Sequence, residues 1–153
     1  MAKRSAGILL HRGGAGAREV LLVHPGGPFW ARRDDGAWSI PKGEYDDGEE
    51  ALAAARREFE EELGSALEHV GELVALGEVR QKNRKLVTAW AAEGDLDASA
   101  VRSNTFTIEW PPRSGRTQEF PEVDRAKWFT LAQAREKLIE AQRAFLDRLQ
   151  ERR

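Results

Sequence analysis

Apolar positions follow two rhythms along this chain. "AGILL" at 6–10 and "EVLLVHP" at 19–25 are short, β-prone runs separated by "HRGGAGAR". Runs of this length bounded by glycine predict two strands joined by a turn. Strand-like pieces return as "ELVALGEVRQ" at 72–81, "KLVTAWAAEG" at 85–94 and "NTFTIEW" at 104–110, with "AKWFT" at 126–130 as a last strand. The basic tip "KNRK" at 82–85 turns the chain between the first two of these. "GGPFWARRDDG" at 26–36 and "PPRSGRTQEFPEVD" at 111–124 have the composition of loops. "AWSIPKG" at 37–43 reads as a short extended segment ended by Pro41 and Gly43.

The second rhythm is helical. Residues 49–63 are rich in Ala, Glu, Arg and Leu, with the turn formers Asp46, Asp47 and Gly48 in front of them. Leu52, Ala55, Phe59 and Leu63 make one apolar stripe on that helix. Thr130 starts a second helical pattern, with Gln133 three residues on as its capping-box partner. Leu131, Ala134, Leu138, Phe145 and Leu149 continue it as a stripe with a break near Glu140. Strands on both sides of a central helix, followed by a C-terminal helix, predict an α/β fold with a mixed sheet covered by helices.

Composition narrows the classes. A chain of 153 residues, 41% hydrophobic and 33% charged, has the length and make-up of one globular domain over 1–153. A net charge of -2 argues against binding nucleic-acid polymers in general. No apolar run approaches the roughly 20 residues that span a bilayer, and the N-terminus lacks a secretory h-region. With no cysteine there is no disulfide framework and no thiolate chemistry. These features lead to the expectation of a soluble, cytoplasmic protein without a membrane partner, its oligomeric state open.

The chemistry concentrates in "RREFEEELG" at 56–64. Glu58, Glu61 and Glu62 fall three and four residues apart, so a helix gathers them on one patch beside the apolar stripe. Like charges at that spacing destabilise an isolated helix by a few tenths of a kcal/mol per pair. A hard divalent cation compensates them: Mg²⁺ takes one or two carboxylates and shares its other positions with water and phosphate oxygens.

The flanking residues extend this patch into a longer pattern. From Gly43 the chain reads "GEYDDGEEALAAARREFEEELG": Gly43, Glu49, Arg57-Glu58, apolar Phe59, Glu61-Glu62 and Gly64. This resembles the Nudix box, the signature of the Nudix hydrolases; the departure is Ser65, where an apolar residue is usual. The resemblance implies a Nudix-type α/β/α sandwich with a loop-helix, and hydrolysis of a pyrophosphate bond in a nucleotide-like substrate. It implies Glu58, Glu61 and Glu62 as ligands of Mg²⁺ or Mn²⁺, with Gly43 in the metal site, and Arg57 paired with a box acid, Glu49 foremost. Glu61 is one reading of the general base; Glu119 and Glu122, in "QEFPEVD", are the others.

The lead-in "WSIPKG" resembles Nudix members acting on dinucleoside polyphosphates or diphosphoinositol polyphosphates. It would place Lys42 at the mouth of the metal site, against a phosphate oxygen. Trp38 has two readings, a base-stacking surface and a core residue. Arg32 and Arg33, Lys82, Arg84 and Lys85, and Arg113 and Arg116 form three basic clusters; of these, Arg33 and Lys85 are the chosen substrate contacts. The favoured substrate is a dinucleoside polyphosphate. Nucleoside triphosphates, nucleotide sugars and diphosphoinositol polyphosphates are alternatives, as is a nucleotide-sensing module without catalysis. His11, His24 and His69 show no metal-ligand spacing.

Overall fold

A computed structural model describes residues 3–14, 16–67 and 70–151. His69 lies outside them. Central to the architecture is a six-stranded mixed sheet built on β1 (Arg4–Arg12), which pairs antiparallel with β2 (Glu19–Pro25) and parallel with β5 (Leu86–Glu93). β4 (Val74–Arg80) and β8 (Val123–Thr130) close the order β4–β5–β1–β2–β8, and β3 (Lys42–Glu44) adds to β1. Strands buried on both faces read as continuous apolar runs, which is why the β1 and β2 segments were legible.

Alternation sorts those runs into two cores. Ala6, Ile8 and Leu10 of β1, with Leu21 and Val23 of β2, pack against helix α1 (Ala51–Leu63). Leu9, Val20 and Leu22 point the other way, onto Phe145, Leu146 and Leu149 of helix α3 (Arg143–Glu151) and Ala134 of α2 (Leu131–Lys137). The result is a sheet between helical layers. Thr130 and Gln133 form both halves of the expected capping box, and a short 3₁₀ turn at Glu140–Gln142 supplies the expected break. Among the described residues, no helix is long and apolar enough to cross a membrane.

Three segments differ from the sequence reading. The expected extended piece at 37–43 makes only isolated bridges at Trp38 and Ser39, and the paired strand β3 begins after Pro41, where the segment was expected to end. Proline has no N–H for a ladder; the Pro41 carbonyl instead accepts the Ile8 N–H at 3.1 Å. Within the loop expected at 111–124 lies strand β7 (Thr117–Pro121), which forms a separate hairpin with β6 (Thr105–Glu109), and β8 already starts at Val123. β7 is exposed along almost its whole length, so it carries no alternating apolar signal. Finally, α1 begins at Ala51 rather than residue 49, because Glu50 is extended and Asp46–Glu49 closes a turn. The buried face of α1 includes Ala54 as well as Ala55, Phe59 and Leu63, whereas Leu52 is only partly covered. Gly64 ends the helix at φ 71°, and a Cβ there would meet the Arg102 carbonyl oxygen at 2.3 Å.

Candidate active site

The apolar face of α1 locks onto the sheet, and this fixes its acidic side against β3. Glu58 lies so close to Gly43 that a Cβ on that glycine would be 2.0 Å from the carboxyl carbon. Glu62 Oε1 accepts the Lys42 backbone N–H at 3.2 Å. Arg57 grips Glu49 with a two-pronged fork, Nε to Oε2 at 2.8 Å and Nη2 to Oε1 at 3.0 Å. Its remaining arm, Nη1, reaches Glu58 Oε1 at 3.4 Å and both Glu61 oxygens at 3.3 Å. Arg57 therefore braces the box turn to the helix and lies between two of the helix acids. Its own pKa is raised, first by the Glu49 hydrogen bonds.

Electrostatics mark the patch as short of positive charge. Burial, followed by the Glu61 charge, pushes Glu58 up to about 7, against an opposing pull from Arg57. Burial also raises Glu62 to about 8, with Glu58 and Glu122 adding to the rise and Lys42 opposing it. Glu122 is raised as well, by desolvation and then by Glu61. Lys42 is lowered, chiefly by burial and then by the neighbouring Lys85 charge, while Glu62, Glu44 and Glu58 pull it back. Carboxylates buried together at this cost are what a bound cation relieves.

Among the described residues, no three His, Cys, Asp or Glu side chains form a cage for a metal ion. The coupling between Glu58, Glu61, Glu62 and Glu122 nonetheless places them within each other's field. This donor set fits Mg²⁺: hard oxygens, with one or two carboxylates sufficing because water and substrate phosphates complete the shell. It does not fit a soft or thiolate-seeking metal.

The structure separates the two outside glutamates. The Asn104 N–H bonds the Glu61 carbonyl at 2.9 Å, the Glu122 N–H bonds the Asn104 carbonyl at 2.9 Å, and the Gly26 N–H bonds the Glu122 carbonyl at 2.9 Å. This relay ties Glu122 to the end of α1. Glu119 sits exposed on β7 opposite Thr107, outside the relay. Nothing in the sequence pattern announced Asn104, a lone residue before a strand.

Lys42 and Lys85 lie within each other's field beside the acids, and Lys85 Nζ reaches Glu44 Oε2 at 3.3 Å. Arg33 lines a cleft of about 690 Å³ with Trp30, Arg80, Lys82 and Arg143. Lys82 belongs to the same hairpin tip as Lys85, closed by the Gln81 N–H to Lys85 carbonyl bond at 2.9 Å. Two of the three basic clusters thus share one region, while Arg113 lies far along the chain at the β6–β7 tip. Sequence reasoning missed Arg80, exposed at the end of β4, and Arg143, half-buried at the start of α3, because both segments otherwise read as structural. Trp30 offered one signal, an aromatic in a glycine-rich loop.

Trp38 takes the core reading. It is 2% exposed, in the cluster under α2 and α3 rather than under α1. His24 and Phe129 meet it in T-shaped contacts, and Arg125 lies 5.2 Å from its ring centroid. A base has no face left to stack on, so Trp38 is withdrawn as a substrate contact.

Comparison with known proteins places this geometry among relatives. The NUDIX domain family model matches residues 1–149. The RNA pyrophosphohydrolase of Brucella anthropi is 30% identical over 146 residues, which covers 78% of each chain. The fold is similar to that of a C. elegans Ap4A hydrolase in a binary complex, with a TM-score of 0.67, 24% identity and 96% of each chain covered. It is also similar to the NUDIX domain of Shewanella oneidensis NrtR complexed with ADP ribose, with a TM-score of 0.64, 16% identity, and 99% and 88% covered.

Proposed function

The chain belongs to the Nudix hydrolase family, and on that footing we propose that it cleaves a pyrophosphate bond in a nucleoside polyphosphate, with Mg²⁺ (or Mn²⁺) as cofactor and dinucleoside polyphosphates favoured. One observation carries the reading: Glu58 and Glu62 are held with raised pKa values beside Gly43 and Lys42, next to a second cation, Lys85. Acids that want a metal thus adjoin lysines that want a phosphate. Glu58, Glu61 and Glu62 would hold the ion, with Gly43 leaving room at the Glu58 carboxyl. Bound there, it would polarise the phosphoryl oxygens and acidify a water.

The chain's own groups supply the rest. Arg57 orients Glu58 and Glu61 while its fork stays on Glu49. Lys42 and Lys85 neutralise non-bridging phosphate oxygens. Glu61 or Glu122 accepts the proton of the attacking water; that water's oxygen bonds to phosphorus as the bridging P–O bond breaks, giving two phosphorylated products. Arg33, Arg80, Lys82 and Arg143 give the distal part of a long polyphosphate a positive wall.

A second substrate shares this chemistry. The Brucella anthropi relative is an RNA pyrophosphohydrolase, and an RNA end that carries a chain of phosphates would present the same pyrophosphate bond on a nucleoside. A panel test separates the readings. Dinucleoside tetraphosphate, nucleoside triphosphates, a nucleotide sugar, diphosphoinositol polyphosphate and 5′-triphosphate RNA are incubated with Mg²⁺ in ¹⁸O-water, and the products are resolved by mass. The dinucleoside polyphosphate should show the highest kcat/KM, with one labelled product per cleavage. A preference for RNA would move the assignment to the second substrate; tight binding with no cleavage would make the protein a sensor.

A further inference from the structure

β2 and β8 run antiparallel until His24, which pairs with Arg125; Pro25 then pairs with Val123, so Asp124 is the extra residue of a β-bulge. A bulge re-aims the side chain it carries. Here it brings Asp124 Oδ1 to 2.8 Å from His24 Nδ1. The other ring nitrogen, Nε2, lies 2.6 Å from the Arg33 carbonyl oxygen. His24 is 0% exposed. Both partners accept: neither a carboxylate nor a backbone carbonyl has a proton to give. The ring thus lies between two acceptors and can donate to either of them. Around it, Arg125 lies over Trp38, and Asp34 bonds Trp38 Nε1 and Lys137.

What this ring holds is functionally placed. Residues 27–33 form two successive turns, Trp30 N–H to Gly27 carbonyl at 3.3 Å and Arg33 N–H to Trp30 carbonyl at 3.0 Å. The downstream half of the loop is pinned separately, by Lys137 on Asp34 and Asp35 and by the Gly36 N–H on the Glu136 carbonyl. Among the described residues, the bond from His24 to the Arg33 carbonyl is the one hydrogen bond tying those two turns to the rest of the fold. The turns carry Trp30 and Arg33 to the wall of the basic cleft. At its other end the ring meets the bulge that directly follows Glu122.

We propose that His24 is a positioning residue: clasped between Asp124 and the Arg33 carbonyl, it fixes the Trp30–Arg33 turns as a wall of the substrate cleft. It thereby sets how tightly the part of the substrate remote from the cleaved bond is held. The kinetic consequence rests on the hydrolase reading above; the structural consequence does not.

Asparagine places an amide nitrogen near the Nδ1 position and glutamine near Nε2. His24→Asn thus keeps the donor to Asp124 and loses the one to Arg33, and His24→Gln restores the latter. His24→Asn should raise KM about tenfold with kcat within about twofold of the parent, and His24→Gln should return KM to within about threefold. Amide hydrogen exchange on the same proteins should show Trp30 and Arg33 exchanging about tenfold faster in His24→Asn, with α1 unchanged. Unchanged KM and exchange in His24→Asn would overturn the inference. Absence of turnover by the parent would instead sink the hydrolase reading, leaving exchange to decide this one. Should His24→Asn fail to fold, Asp124→Asn, altered at the solvent-facing end, is read by the same exchange measurement.

Discussion

Gly43 and Glu58 occupy the same space: a single Cβ on the glycine would stand 2.0 Å from the carboxyl carbon of the glutamate. The strand residue is small so that the helix acid can lie flat against the backbone. Gly43→Ala must push Glu58 aside, and a displacement near 1 Å at a catalytic group costs on the order of 10²-fold in rate. Steady-state kinetics should show that loss in kcat with little cost in stability, because the atoms that must move are the far end of a flexible side chain. Full activity in a folded Gly43→Ala would detach Glu58 from the chemistry.

Arg57 tests geometry against charge. Its fork on Glu49 is bidentate, and lysine cannot reproduce it. The pair is more than a third exposed on the arginine side, so solvent screening leaves it little weight in stability. Arg57→Lys should therefore melt close to the parent while losing at least about tenfold in kcat. In a double-mutant cycle with Glu49→Gln, the second substitution should cost little once the first is made. Additive losses would mean that Arg57 acts without Glu49.

The two outside glutamates should behave differently. Glu122→Gln removes a carboxylate whose charge helps to raise both Glu58 and Glu62, whereas Glu119→Gln alters the exposed face of a hairpin. If Glu122 takes the proton, its variant should lose about 10²-fold or more in kcat and flatten the acid-side limb of the pH profile, with Glu119→Gln near the parent. Equal effects of the two would remove the relay through Asn104 from the account.

How much of this was legible in the sequence follows from where each residue's constraint lies. The α1 acids are set by helical spacing alone, and the buried strands by unbroken apolar runs. β7 was hidden because a strand with one half-buried side chain, Phe120, leaves no alternation, whereas its partner β6 alternates and was legible. Trp38 is decided by packing between β2, β8 and α2, a contact among segments far apart in the chain. The Asp124 bulge is a mismatch of register between two strands, which neither strand encodes alone.

Stability should depend on pH with a definite sign. Folded Glu58 and Glu62 titrate near 7 and 8, above the ordinary 4.5, so the folded state holds more protons than the unfolded one in that window. The metal-free protein therefore loses stability as pH rises from about 4.5 through 8, and the contribution is fully present below about 4.5. Thermal melts in chelator should show Tm falling across that range. Mg²⁺ at millimolar concentration should offset the fall, because binding to the native state alone stabilises it. A Tm that rises with pH in chelator would contradict the burial of these acids.

The most direct test of the central claim, that the α1 carboxylates seat a divalent cation, is a Mn²⁺ titration followed by the loss of free-ion EPR signal. The parent should take up Mn²⁺, Mg²⁺ should compete it off, and Glu62→Gln and Glu58→Gln should each weaken binding by about tenfold or more. Equal Mn²⁺ affinity in the parent and both variants would place the metal elsewhere and contradict the account.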